Sequence, residues 1–258
     1  MGSIWSQTCS IGRRPPLRGH LKTQAAVVGA GMAGVLTAYA LQQAGLSVVV
    51  LEAGRIAGGQ TQNTTAKITS QHGLIYSRLI QSFGEETARR YAKANQDAVR
   101  AYQDLIDVQG ISCDWEERCA YLYGPDVTVL QEEAEAARRL GLPASFTREV
   151  SIPIPHDGAV CFEGQAQFHP LKFLKVLADQ LTIYEQSRVL TAEGDLLTTE
   201  LGSVQAEHIV FACHFPFVNF PGMYFARMHQ ERSYVLALQG APPVDGMLLG
   251  VGRDTFSL

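Results

Sequence analysis

The chain has 258 residues, of which 46% are hydrophobic and 18% charged, below the roughly 25% charged share usual for globular proteins. That composition excludes a disordered chain and allows a sizeable core, in one large domain or in two interleaved ones. The 21 basic and 25 acidic residues leave a net charge of −4, too small to mark nucleic acid or an anionic membrane as a partner.

Residues 1–22 lack the apolar segment of a secretory signal. They are expected to form a leader arm, extended at Pro15 and Pro16. An apolar run at 25–28 predicts a strand. A glycine-spaced stretch then leads into a helix over 35–44, stopped by Gly45. A second apolar, β-branched run follows at 47–51. Strand, glycine turn, helix and strand within about 30 residues are the opening of a parallel βαβ unit. Residues 54–73 are rich in Gly, Thr, Gln and Asn, too polar for a core element and too long for an idle loop.

A helix is expected over 84–109, with Tyr91, Ala94, Ala98, Ala101, Tyr102, Leu105 and Ile106 on its apolar face. A strand is expected over 115–123. A charged surface helix follows over 126–140, with Glu132, Glu133, Glu135, Arg138 and Arg139 on a solvated face. Residues 170–181 read as a helix opened by proline and 182–185 as a brief strand. Residues 187–191, 195–200 and 204–212 read as a meander that turns at Gly194 and Gly202. Residues 233–238 and 247–251 alternate as antiparallel strands do. No run reaches the roughly 18 apolar residues of a membrane span. The cysteines Cys9, Cys113, Cys119, Cys161 and Cys213 are odd in number and have no CxxC spacing. Each is expected to be a small buried hydrophobe, with no metal site, in a reducing cytoplasm.

Gly29-x-Gly31-x-x-Gly34 falls between the first strand and the first helix, the context that gives the spacing its meaning. The first Gly makes a tight turn, the second lets backbone approach a pyrophosphate, and the third packs helix on strand. The helix N-terminus offers N–H groups and a partial positive charge to the phosphates. Glu52 ends the second strand, at the distance of about 20 residues where a carboxylate meets ribose hydroxyls and disfavours a 2′-phosphate. FAD and NAD both use such a cradle.

The loop that follows separates the two. Glu52-Ala53-Gly54-Arg55-Ile56-Ala57-Gly58-Gly59-Gln60-Thr61, continuing through Gln62-Asn63-Thr64-Thr65-Ala66-Lys67, resembles the second cofactor segment of the D-amino-acid oxidase-like flavoproteins, the group of glycine and sarcosine oxidases. Residues 64–76, 209–217 and 225–234 are similar to a branch of that family whose longer members often carry a C-terminal Rieske iron–sulfur domain. Cys213 stands there at a usual Thr, and residues 3–9 of the leader also resemble that branch. The likeness spans nearly the whole chain. It implies an α/β fold, a Rossmann-like FAD-binding domain of the glutathione-reductase type with an inserted mixed antiparallel-sheet substrate domain. Residues 23–83 and 165–213 would form the FAD-binding domain, and 84–164 with 214–258 the substrate domain. No second glycine-rich return follows Ser233 and no Rieske Cys/His pairs follow, so the C-terminal closing part is expected to be missing.

The resemblance also implies roles. Gly29, Ala30, Gly31 and Gly34 would hold the pyrophosphate, and Glu52 and Arg55 the adenosine. Thr61, Thr64, Thr65 and Lys67 would follow the diphosphate toward the flavin. Val189 would meet adenine through its backbone, and Ala212 would close the strand beside the dinucleotide. Lys67 is a candidate to stabilise negative charge on reduced flavin, and His72 a candidate titrating group. Arg232 could grip a substrate carboxylate bidentately, with Tyr234 beside it. Phe215, Phe217, Phe220, Tyr224 and Phe225 could line the roof of a pocket, but core packing is the favoured expectation. Three functions compete: FAD-dependent oxidation of a C–N bond in a small amine or amino acid, with an unknown electron acceptor; a truncated, non-catalytic remnant with weak or no FAD binding; and an NAD-linked dehydrogenase.

Overall fold

The computed structural model describes residues 2–150, 154–220, 222–241, 244–252 and 255–258; Met1 of the leader and 151–153, 221, 242–243 and 253–254 of the expected substrate domain lie outside them. In chain order the elements are α1 (Ile4–Thr8), β1 (Gly19–Val28), α2 (Met32–Gln43), β2 (Val48–Leu51), β3 (Lys67–Ile68), α3 (Tyr76–Gln109), β4 (Glu116–Gly124) and α4 (Val127–Arg139). They continue as β5 (Ala144–Thr147), β6 (Gly158–Gln167), α5 (Pro170–Ala178), β7 (Ile183–Tyr184), β8 (Thr191–Glu193), β9 (Leu196–Thr198), β10 (Gly202–Phe211) and β11 (Met247–Gly250). Two compact units result, Met1–Thr65 with Pro170–Ala237, and Ala66–His169 with Leu238–Leu258. The cuts differ from the expected ones because Lys67 and Ile68 pair with Gln167 and Ala166 of β6, which draws the chain after Thr65 into the second unit.

The sheet of the first unit has the order β7-β2-β1-β10-β9-β8. β7, β2, β1 and β10 run parallel, and β9 and β8 add an antiparallel edge. Residues 25–28 are buried throughout, as a central parallel strand covered on both faces requires. β1 starts at Gly19, six residues before the apolar run, because Gly19 to Val28 pair in register with Gly202 to Phe211. The leader is therefore shorter than expected, and its first part is helical. It opens with α1, whose first turn is capped by Ser3 Oγ accepting from Ser6 N–H at 3.2 Å. It then buries Ile11, and Leu17 to 1% exposure. Leu17 joins Val28, Leu51, Val189, Leu197 and Val204 in one core cluster. Residues 187–190 form no strand, and the meander begins only at Thr191.

In the second unit the sheet order is β11-β4-β6-β3, with β5 also paired to β6. β11 is parallel to β4, not antiparallel. Alternation fixes which face a strand buries but not its direction. Residues 233–238 are irregular, with Tyr234 at 86% exposure and Val235, Leu236 and Leu238 exposed too. The alternation there has no neighbouring strand among the described residues. Gly84, at φ 78°, breaks α3 into two helical segments; the second begins and ends where the expected helix does, and a further segment from Tyr76 precedes it. The buried residues of α3 are Tyr76, Ala88, Ala92, Val99 and Ile106. Ala94, Ala98 and Ala101 are exposed, since alanine favours helix on either face. Gly110, left-handed at φ 59°, ends the helix.

Among the described residues no helix is long and apolar enough to cross a membrane. No three His, Cys, Asp or Glu side chains among them come together to hold a metal ion. All five cysteines are free thiols; Cys113 and Cys161 are buried, the others half-buried.

Glu133 departs most from expectation. It lies on α4 but is 1% exposed, not solvated. Its Oε1 accepts from the N–H groups of Ile75 (2.9 Å) and Tyr76 (2.8 Å), and its Oε2 from Ser77 N–H (3.0 Å). A carboxylate from one helix thus caps the orphan donors that begin another. Glu133→Ala would leave buried donors without an acceptor, each costing about 1–3 kcal/mol. A loss of at least about 3 kcal/mol in urea unfolding is expected, and Glu133→Gln, which keeps one acceptor oxygen, should lose less.

Candidate functional site

The site begins where β1 meets α2. Gly29 has φ 106°, and a Cβ on it would come within 2.5 Å of the Ala212 carbonyl oxygen. A Cβ on Gly34 would come within 1.9 Å of the Gly29 carbonyl oxygen. These two glycines let helix, turn and β10 approach one another. Gly31 differs, since a Cβ there would meet only Thr61 Oγ1, at 3.3 Å. Its open side faces a cavity. Ala212 extends the β10 alignment by donating its N–H to Val28 O at 2.8 Å.

The loop after β2 is tied back to this turn. Glu52 Oε2 accepts from Ala30 N–H and Oε1 from Gly54 N–H, both at 2.7 Å. Thr61 Oγ1 accepts from Met32 N–H at 2.9 Å, at the first turn of α2. Ala57, buried and left-handed at φ 56°, donates its N–H to Ala30 O at 2.9 Å.

Together these segments line a half-open cavity of about 1290 Å³ within the first unit, larger than the roughly 300–1,000 Å³ of a usual small-molecule pocket. Gly29, Gly31, Glu52, Thr61, Val189 and Ala212, six of the residues singled out from the sequence, line it. Ala30 and Gly34 are buried behind it, Ala30 holding Glu52 and Gly34 packing on Gly29. A bare Gly at a helix N-terminus, a carboxylate opposite and this much space suit an elongated anionic ligand with hydroxyl groups.

Other residues of the wall carried no sequence signal or were read otherwise. Arg188 lines the cavity; an exposed Arg outside any motif gives a sequence nothing to distinguish it. Phe215, Phe217, Phe220 and Tyr224 line the cavity and are not core. Phe217 lies edge-on to Phe211, with centroids 5.7 Å apart. Phe225 is exposed. The Cys213 thiol is pushed up by burial, its backbone hydrogen bond opposing and the Glu52 charge adding to the rise, so it lines the wall as a protonated thiol.

The remaining candidates lie elsewhere. Arg55 is not on the cavity wall; its guanidinium pairs with buried Glu185 and donates to Ile11 O at 2.8 Å. Thr64 offers its carbonyl to Trp5, and Thr65 is exposed. Lys67 and His72 belong to the second unit. Lys67 Nζ donates to Leu248 O (2.8 Å) and Ser257 Oγ (2.7 Å), and burial lowers it to about 8. His72 Nε2 lies 3.1 Å from Asn95 Oδ1. Arg232 and Tyr234 are exposed on irregular chain, off the expected strand and off this wall.

Known proteins resemble this architecture. A protein of Bacillus subtilis, YhfW, whose name describes a Rieske 2Fe-2S iron–sulfur protein, is 34% identical over 99% of this chain and 53% of its own. Gamma-glutamylputrescine oxidoreductase of Escherichia coli is 26% identical over 72% of this chain and 47% of its own. The chain thus spans about half the length of the curated relatives it matches. The structure of glycine oxidase from Geobacillus kaustophilus superposes with a TM-score of 0.61 at 17% identity, over 89% of this chain and 66% of that one. L-proline dehydrogenase from P. horikoshii gives 0.62 at 17% identity, over 76% and 54%. Both share the fold. The pattern described as FAD dependent oxidoreductase matches residues 24–255. By that match and by its identity to YhfW, the chain belongs to the DAO family of FAD-dependent oxidoreductases.

Proposed function

We propose that the first unit binds FAD and that the whole protein oxidises a C–N bond of a small amine or amino acid. The observation that carries this is the cradle, in which the bare backbone of Gly31 at the start of α2 and the Glu52 carboxylate border one cavity. FAD when bound supplies the acceptor for a hydride from the substrate carbon. The chain does the rest. Gly31 lets backbone approach the diphosphate, and the α2 terminus offsets its charge. Glu52 would accept from ribose hydroxyls, its carboxylate kept in place by Ala30 and Gly54. The Val189 backbone would lie at the adenine, and Thr61 and Ala212 along the dinucleotide.

The substrate class draws on the names of relatives, an oxidoreductase of gamma-glutamylputrescine and an oxidase of glycine. Lys67 is proposed to stabilise negative charge on the reduced cofactor and His72 to handle a proton. The free thiols suit a reducing cytoplasm as the compartment.

Titration of the purified chain with FAD, followed by absorbance and fluorescence, tests the reading. Gly31→Leu fills the cradle where the native backbone leaves room, so FAD should bind at least about tenfold more weakly, ~1.4 kcal/mol, with little change in melting temperature. A chain that ignores FAD but shifts NADH fluorescence would overturn FAD as the ligand of this cavity. One that ignores both would be a remnant without a cofactor.

Lys67 gives a pH signature. Below about pH 8 both folded and unfolded chains hold its proton, and the cost of burying the charge is present in full. Between about 8 and 10.5 the folded chain has released the proton and the unfolded chain has not, so stability rises with pH. The urea midpoint of the native chain should therefore gain on that of Lys67→Met through this window. A constant gap would contradict a lowered Lys67.

A further inference from the structure

The leader is joined at several points to the two segments that line the cavity. Trp5 Nε1 donates to the Thr64 carbonyl at 2.8 Å. The Ile11 carbonyl accepts from Arg55 Nη2 at 2.8 Å. Arg14 N–H donates to Glu185 Oε2 at 2.9 Å, while Glu185 Oε1 accepts from Ile56 N–H at 2.8 Å. Leu17 N–H donates to Ser187 Oγ at 2.9 Å, and Ser187 N–H to the Glu52 carbonyl at 2.8 Å. Glu185 is 2% exposed and also pairs with Arg55, so leader, loop and β7 end meet on one buried carboxylate.

The loop needs such support. Its only regular structure is a 3-10 turn, Gln60–Asn63, and it carries Gly54, Gly58 and Gly59. Glycine-rich backbone loses much conformational freedom when fixed. A loop fixed in advance spares the ligand that ordering cost.

We propose that residues 3–17 form a strap that positions the cofactor loop 52–64 and segment 185–190, so that FAD affinity depends on residues that line no part of the cavity. Trp5, Arg14, Arg55 and Glu185 are the positioning residues. Arg55 then anchors the loop to the leader and is not a grip on adenosine. The proposal rests on the FAD reading given above.

The test compares the native chain with Trp5→Phe, which removes the indole N–H together with part of the ring, and with a deletion of residues 2–10, which keeps Ile11 and Leu17. Hydrogen exchange without FAD is measured at 54–65, with 25–28 and 204–210 as internal reference, and FAD affinity is titrated in parallel. Both variants should exchange faster at 54–65 with the reference strands unchanged. Loss of a single hydrogen bond should weaken FAD by about fivefold, and the deletion by more. Unchanged exchange at 54–65 in both variants overturns the strap, as does a loosened loop with unaltered FAD affinity. If the deletion fails to fold, Trp5→Phe decides alone. If the native chain takes up no FAD, the reading of the cavity fails, and the strap is then upheld or rejected on exchange alone.

Discussion

Everything in the first unit depends on how closely α2 lies over the β1–β10 pair. A Cβ on Gly34 would stand only 1.9 Å from the Gly29 oxygen, so any side chain there would push the helix off the sheet. The start of α2 would then move away from Gly31, and Thr61 would lose the Met32 N–H it caps. The left-handed turn at Gly29, against Ala212, is the other half of the same constraint. A cavity with a helix N-terminus on its wall is the consequence of two missing side chains.

A second theme runs through both units. Irregular backbone is held by carboxylates that collect N–H groups with no partner in a sheet or helix. Glu52 joins Ala30 and Gly54, Glu185 joins Arg14 and Ile56, and Glu133 joins Ile75, Tyr76 and Ser77. Charge-assisted bonds of this kind are stronger than neutral ones. Burial makes them selective too, since a misplaced loop would leave a desolvated charge without donors.

What was legible in the sequence is local. The strand, glycine turn, helix and second strand over 25–51 are set by residues adjacent in the chain, and the glycine spacing states its own geometry. What was not legible depends on remote partners. Glu133 looks like any surface glutamate until α3 is placed against α4. Arg55 looks like a ligand contact until Glu185 and the Ile11 carbonyl arrive from distant segments. The early start of β1 needs β10, and the direction of β11 is fixed only by β4. The aromatic residues after Ala212 read as core because apolar content does not say which side of a wall a ring faces.

The same distinction explains the division of labour at the cavity. The wall residues that a motif announces, Gly29, Gly31 and Glu52, supply shape and charge, yet none fixes the far end of the glycine-rich loop. That end is held by Trp5 on the Thr64 carbonyl and the near end by the Glu185 knot at Arg55 and Ile56, all contributed by segments without a recognisable pattern. A cradle motif therefore specifies where a dinucleotide can lie, whereas its retention depends on how firmly the loop is held in place. Two chains with identical glycine motifs can differ in affinity through a leader that a motif search would discard.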